Sequence, residues 1–213
     1  MNPKLCILIP NLGRVPIEWA IALAKISPAV GVPFKYYVSK HFRLDVAREH
    51  LVRNALADGC EKVLFWDTDV VPVQDGDFDT WAIYKLWQAD YPIATGLYWT
   101  KKGIPNIYAL VDENSDKPFA PVYIDEPKGK AMMVDAAGLG FALIDAEIFR
   151  RLSRPWFLYY VDDKKEISED LWFFLKLHRE MKGRFKVLAS GDVMCYHVGD
   201  LSLTWGGHVR LGP

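Results

Sequence analysis

The stretch Lys62-Val63-Leu64-Phe65-Trp66-Asp67-Thr68-Asp69-Val70-Val71-Pro72 decides the reading of this chain. Val63 to Trp66 is an apolar run of strand length, bounded by Gly59 before it and Pro72 after it. A run apolar on both sides belongs to a strand covered on both faces, the kind found inside a parallel sheet. It ends in two carboxylates, Asp67 and Asp69, with one residue between them. In an extended chain residues i and i+2 point the same way, so both are expected to converge at the carboxyl end of the strand. Ligands bind at that end of open α/β sheets. Two adjacent like charges call for a positive partner, and a hard divalent cation with oxygen ligands supplies one. The plainer alternative is an Asx-type turn with both aspartates solvated. The apolar residues on either side favour the cation.

The 213 residues are enough for one α/β domain with a substantial core, and the whole chain, 1–213, reads as such a domain. Half of the residues are apolar (51%), and the net charge of −1 gives no sign of a nucleic-acid partner. No apolar run approaches the roughly 20 residues of a membrane-spanning helix. Leu5 to Pro10 is too short and too early for a signal peptide and reads as a first strand. Cys6, Cys60 and Cys195 are far apart and form no C-x-x-C pair, so free thiols in a reducing cytoplasm are expected. Trp99 and Trp205, beside Gly and Lys, are placed to line a pocket.

From the amino terminus the pattern is β-loop-α-β. The strand Leu5–Pro10 is followed by the loop Asn11–Pro16, a helix with Pro16 in its first turn, and a strand from Phe34 to Val38. Residues 43–59 read as a helix with Asp45 at or near its N-cap, Gly59 as its stop, and Ala47, Leu51 and Ala55 on one face. Beyond the paired aspartates, Val73–Asp79 reads as a solvated loop. Its glycine is misplaced and the late glutamate of a calcium loop is missing. Asp79 is expected to cap a helix from Thr80 to Gln88, with Trp81 and Tyr84 packed inward. Tyr91–Trp99 reads as a strand, and residues 104–130, with strand candidates at Asn106–Val111 and Ala120–Ile124, as an inserted hairpin. Val134 to Ile144 holds Gly138 and Gly140 but no third glycine, which argues against a dinucleotide fingerprint. Ser168 N-caps a helix whose first turn holds Glu169 and Asp170, favourable for the helix dipole in any protein. Phe185–Ala189 reads as the last strand, with His197 following between short strand and glycine. The tail 200–213, with His208 and Arg210, reads as a mobile lid.

F-W-D-T-D-V-V-P resembles the D-x-D segment of GT-A glycosyltransferases, and the segments around it resemble family 2-like members in order and spacing from about Leu5 to Gly199. Those segments are A-R-E at 47–49, A-T-G-L-Y-W-T-K-K at 94–102, V-D-A-A-G-L-G-F-A-L-I at 134–144 and E-D at 169–170. The resemblance implies a single-domain, Rossmann-like GT-A fold: a mostly parallel central sheet flanked by helices, with a small antiparallel hairpin facing the acceptor. It implies a metal, Mn²⁺ or Mg²⁺, held by Asp67, Asp69 and His197, with Asp69 binding directly and Asp67 holding the ribose or a metal-bound water. Imidazole suits Mn²⁺ better than Mg²⁺. It implies a UDP- or GDP-sugar donor met by Pro10, Asn11, Arg14, Arg43, Arg48, Asp67, Thr68 and Asp69. Trp99, Gly138, Leu139 and Gly140 would shape the substrate pocket. Asp170, beside Glu169, would be the general base of an inverting transfer to a sugar or other hydroxyl acceptor. Ala47-Arg48-Glu49 departs from the Ala-Arg-Asn of such enzymes, which leaves nucleotide identity open. A solvated helix face for Arg48, a structural role for His197, and a metal-dependent nucleotidyltransferase or an inactive nucleotide-binding module remain the alternatives.

Overall fold

Period-two alternation in the first and third strands divides the core in two. In a computed structural model, residues 3–11, 13, 15–26, 31–39, 43–100, 103–163, 165–183, 185–198, 201–203 and 209–211 are described. In chain order the elements are β1 (Leu5–Pro10), α1 (Ile17–Ile26), β2 (Phe34–Ser39), α2 (Leu44–Ala57), β3 (Lys62–Trp66), β4 (Val70–Gln74) and β5 (Asp77–Phe78). Then come α3 (Ala82–Gln88), β6 (Ile93–Leu97), β7 (Ile107–Leu110), β8 (Phe119–Pro121), β9 (Ala131–Val134), β10 (Ala136–Ala137) and β11 (Phe141–Asp145). The rest are α4 (Ala146–Arg151), β12 (Tyr160–Val161), β13 (Glu166–Ile167), α5 (Glu169–Met181), β14 (Val187–His197), β15 (Leu201–Leu203) and β16 (Val209–Leu211). Leu5, Ile7, Leu64 and Trp66 pack with Trp19 and Ala22 of α1 and Ile83 and Leu86 of α3. Cys6, Leu8, Val63 and Phe65 pack on the other face with Leu51 of α2, Phe149 of α4 and Phe173 of α5. Strand β3 is thus covered on both faces, as its apolar run predicts.

The central sheet runs β2-β1-β3-β11-β6-β14-β4-β5, with β9 also paired to β14. The pairs β1–β2, β1–β3 and β6–β14 are parallel; β11 pairs antiparallel with both β3 and β6, and β4 and β9 pair antiparallel with β14. The expected mostly parallel sheet is therefore corrected to a mixed one. Because β11 is a single reversed strand, β1, β3, β6 and β14 still end at the same side, and residues just beyond Pro10, Trp66, Leu97 and Tyr196 meet there. The insertion folds as expected into a hairpin, β7–β8, which with β10 makes a small antiparallel sheet. Strand β14 is longer than expected. It is irregular between Ser190 and Met194, where Gly191 passes so close to the Pro127 carbonyl that a Cβ would lie 1.8 Å from its oxygen.

Three local expectations fail for identifiable reasons. Val73–Asp79 is not a solvated loop, because Val70–Gln74 finds an antiparallel partner in β14 and then turns back into β5. Trp81 and Tyr84 are exposed, at 55% and 40%: α3 starts only at Ala82 and buries Ala82, Ile83 and Leu86 instead, leaving the two rings against each other. Cys6 and Cys60 are joined as a disulfide with Cα atoms 6.0 Å apart, within ordinary disulfide reach, and Cys195 alone is free. Their 54-residue separation hid a contact that the β1–β3 pairing creates. This removes the argument for a reducing compartment. Among the described residues no helix is long and apolar enough to cross a membrane. His208, Trp205 and most of the proposed lid lie outside the described residues; the backbone of β15 and β16 pairs as an antiparallel hairpin.

The disulfide makes a direct prediction. Unfolded but unreduced protein should react with a thiol reagent at one cysteine of the three, and reduction should lower stability by about 2–4 kcal/mol in denaturant unfolding. Reaction at all three before reduction would remove the bridge.

Candidate active site

The site is built where β3 ends. Asp67-Thr68-Asp69 is not an extended continuation of the strand but a tight turn, closed by Val70 N donating to Asp67 O at 3.1 Å. Trp66 Nε1 donates to Val70 O at 2.8 Å and locks the turn from the core side. Asp67 N donates to Gly140 O at 2.8 Å, and Val198 N to Asp69 O at 2.7 Å, so the turn is clamped between the loop before β11 and the end of β14. The extended geometry expected to make the two carboxylates converge is thus replaced by a turn, in which each has its own partner.

Asp67 faces inward. Its Oδ2 accepts from Arg48 Nη2 at 2.9 Å, and Arg48 Nε donates to Glu169 Oε1 at 3.2 Å. Arg48 is 1% exposed, with its guanidinium 5.0 Å above the Phe65 ring centre. Arg48, expected to meet a nucleotide, is drawn into the interior by two carboxylates from other elements. Burial by itself would lower the Arg48 pKa; Asp67 and then Glu169 reverse this and hold it above its ordinary value. Burial pushes the Asp67 carboxyl up to about 6 against the opposing pull of Arg48. Arg48 Nη1 and Asp67 Oδ1 are both buried without a hydrogen-bond partner among the described residues.

Asp69 has a different partner. His197 Nε2 lies 3.0 Å from Asp69 Oδ2, and its ring sits 6.0 Å from that of Tyr98. Two donor atoms 3.0 Å apart have the spacing of neighbouring ligands on one cation with bonds of about 2.0–2.2 Å. Among the described residues no three His, Cys, Asp or Glu side chains gather as a metal-holding group. The expected trio is not assembled: Asp69 and His197 fit a cation, and Asp67 is engaged by Arg48.

The first turn of α5 separates its two acids. Glu169 is bound to Arg48; Asp170 Oδ1 accepts from Ser168 Oγ and, at 2.7 Å, from Leu171 N. No salt bridge reaches Asp170 among the described residues. Burial raises both carboxyls, for Glu169 with Asp170 adding to it and for Asp170 against the Ser168 hydrogen bond and the charge of Arg48. Tyr98, which the sequence reading passed over for Trp99, stands beside them. Its Oη accepts from Gly140 N at 3.0 Å, and burial, then Asp67 and Asp170, raise its pKa well above the ordinary value. A Cβ at Gly138 or Gly140 would lie 2.5 or 2.6 Å from that hydroxyl, so both glycines are required by close packing. The Gly-x-Tyr spacing of Gly96 to Tyr98 was the available signal.

The other expected residues divide. Thr68 sits half-buried in the turn, and Pro10 and Asn11 end β1 on the same side of the sheet, with Asn11 Oδ1 accepting from Gly13 N at 2.7 Å. Arg43 is held instead by Asp45, its Nη2 2.5 Å from Oδ2, because it is the N-cap residue two positions before that aspartate. Trp99 bridges to Pro105 at the hairpin base, and Leu139 is buried in the core. Arg14 lies outside the described residues.

No family model matches the sequence, and no curated protein matches it. Among solved structures, A197 from STIV is similar over 99% of this chain and 94% of its own, with a TM-score of 0.67 and 21% identity. The structure of GalNAc-T7 with UDP, GalNAc and Mn²⁺ is similar over 92% of this chain, with a TM-score of 0.51 and 11% identity. This chain has a GT-A-like fold. It spans 44% of the GalNAc-T7 chain.

Two outcomes follow from the buried charges. Arg48→Ala leaves two buried carboxylates without their cation and should cost about 3–5 kcal/mol in denaturant unfolding; a loss under 1 kcal/mol would mean that the group is not buried as described. Asp67 keeps a proton in the folded protein at pH values where the unfolded chain has lost it, since its pKa rises from 3.8 to about 6. The stability it contributes is complete below its ordinary pKa and is lost as pH rises through about 6. Asp67→Asn should therefore gain in Tm relative to the parent protein between about pH 4 and about pH 6 and hold that gain at higher pH, and a constant difference across that window would show that Asp67 titrates normally.

Proposed function

We propose that this protein is a metal-dependent glycosyltransferase that moves a sugar from a UDP- or GDP-sugar to an acceptor hydroxyl with inversion, Asp170 acting as general base. The observation that carries the reading is the contrast within the pair at the start of α5. Glu169 is paired with Arg48, while no salt bridge reaches Asp170 among the described residues; burial raises the carboxyls of both. A desolvated carboxylate of raised pKa is a better base near neutral pH than a solvated one.

Asp69 and His197 would hold the cation through one oxygen and one nitrogen, and the donor diphosphate would add further oxygens. The cation would stabilise the negative charge that grows on the departing nucleoside diphosphate. Asp67, fixed by Arg48, offers its unpartnered Oδ1 to a donor hydroxyl or a water. Pro10, Asn11 and Thr68 border the donor side, and the loop Gly138–Gly140, packed against Tyr98, supports the floor of the pocket. Asp170 takes the acceptor proton as the acceptor oxygen attacks the anomeric carbon, whose transition state has oxocarbenium character.

UDP or GDP with Mn²⁺ should raise Tm, and neither should do so without the ion. Asp69→Ala should abolish that Mn²⁺-dependent shift. Asp170→Asn should keep the shift and lose turnover by roughly 10²–10⁴-fold. Stabilisation by ATP alone with pyrophosphate release would instead mark a nucleotidyltransferase, and full turnover in Asp170→Asn would remove the base.

A further inference from the structure

The hairpin that follows β6 brings Tyr108 to the neighbourhood of Asp170 and Tyr123 to that of Tyr108. Tyr108 lies on β7, paired with Pro121 of β8 on one side and Ala136 of β10 on the other, and β10 packs against α5. Val122 N donates to Ile107 O at 2.9 Å, which carries the register past the end of β8. Tyr123, two residues beyond Pro121, therefore falls on the face that carries Tyr108, as its diagonal cross-strand neighbour. Tyr108 is half-buried, whereas Tyr123 is 70% exposed. Burial, then the charge of Asp170, then Tyr123, push the Tyr108 phenol up to about 12, in keeping with a position between the two.

We propose that Tyr108 and Tyr123 form the acceptor platform of this site and take a pyranose sugar against their rings, presenting one of its hydroxyls to Asp170. A pyranose has a C–H face and a rim of hydroxyls. A tyrosine ring offers an apolar face with a polar tip, and binding sites are commonly apolar walls with a few placed polar groups. The large exposed ring of Tyr123 then has an occupant, and the neighbouring base has a proton to remove. In the transfer, the acceptor oxygen forms its bond to the anomeric carbon. The bond from that carbon to the diphosphate oxygen breaks, and the acceptor proton passes to Asp170. The inference rests on the glycosyltransferase reading above and adds to it the class of acceptor and the residues that select it.

The test uses the full chain with Mn²⁺ and UDP- or GDP-sugars, following both hydrolysis of the donor and transfer to methyl β-glucopyranoside, methyl β-galactopyranoside and methyl α-mannopyranoside. Glycerol and a serine-containing peptide serve as acceptors without a sugar ring. Transfer to a pyranoside is expected. Tyr123→Ala should raise the acceptor KM on the order of tenfold, beyond any change in donor KM, and Tyr123→Trp should restore it. Donor hydrolysis without transfer to any pyranoside overturns the platform alone, as does transfer only to glycerol or the peptide. An acceptor KM that stays constant in Tyr123→Ala, or rises no more than the donor KM, also overturns it. Absence of both hydrolysis and transfer with every donor removes the glycosyltransferase reading, and the platform with it.

Discussion

A single buried guanidinium holds the site together. Arg48 joins α2, the turn after β3 and the first turn of α5 through Asp67 and Glu169, residues 19 and 121 positions away in sequence. A charge at this depth would not survive unpaired, and each carboxylate alone would face the same penalty. Such a buried ionic group adds little net stability over well-packed apolar residues of similar volume. What it does fix is distance: the D-x-D turn and the start of α5 cannot shift relative to each other without breaking a charge-assisted hydrogen bond in a low-dielectric interior. The same contact divides two acids that adjoin in sequence, since Glu169 is consumed by Arg48 and Asp170 is not.

The mixed sheet explains how the other parts reach the same place. Four co-directional strands deliver Asn11, Asp67, Tyr98 and His197 to one end, which is the end where open α/β sheets gather ligands. The reversed strand β11 brings its preceding loop in from the opposite direction. That loop is glycine-rich because Tyr98 occupies the space that side chains at 138 and 140 would need. Tyr98 in turn is positioned from the hairpin side: Asn106 Oδ1 accepts from its amide at 3.0 Å, and Asn106 Nδ2 donates to Gly96 O at 3.0 Å. The hairpin is thereby tied to the floor of the site.

Much of this was legible locally. The short apolar run Leu5–Pro10, the double-sided apolar run Val63–Trp66, the helix stop at Gly59 and the E-D at a helix start are all short-range signals, and each marks the element observed. What was not legible depends on partners. A D-x-D fits an extended strand or a turn equally well, and only Gly140, Val198 and the Trp66 indole decide between them. Arg48 on a helix reads as a solvated charge until Asp67 and Glu169 are known to face it. Strand direction carries no local mark, so β11 between β3 and β6 could not be foreseen from its apolar run, and neither could the meeting of Cys6 with Cys60.

The eleven-residue strand β14 pairs with β6, β9 and β4 and ends in His197. It is also the last strand of the central sheet in chain order. During synthesis, then, most of the polypeptide must leave the ribosome before the sheet can close across β6 and β4. Until that moment the Asp69 carboxylate has no imidazole beside it, and Gly191 has not filled its place against the Pro127 carbonyl. Nascent chains and fragments cut short of β14 are consequently left with an open sheet edge and with Asp69 lacking the imidazole of His197. Completion of the fold and completion of the site are one event, set by the arrival of one strand.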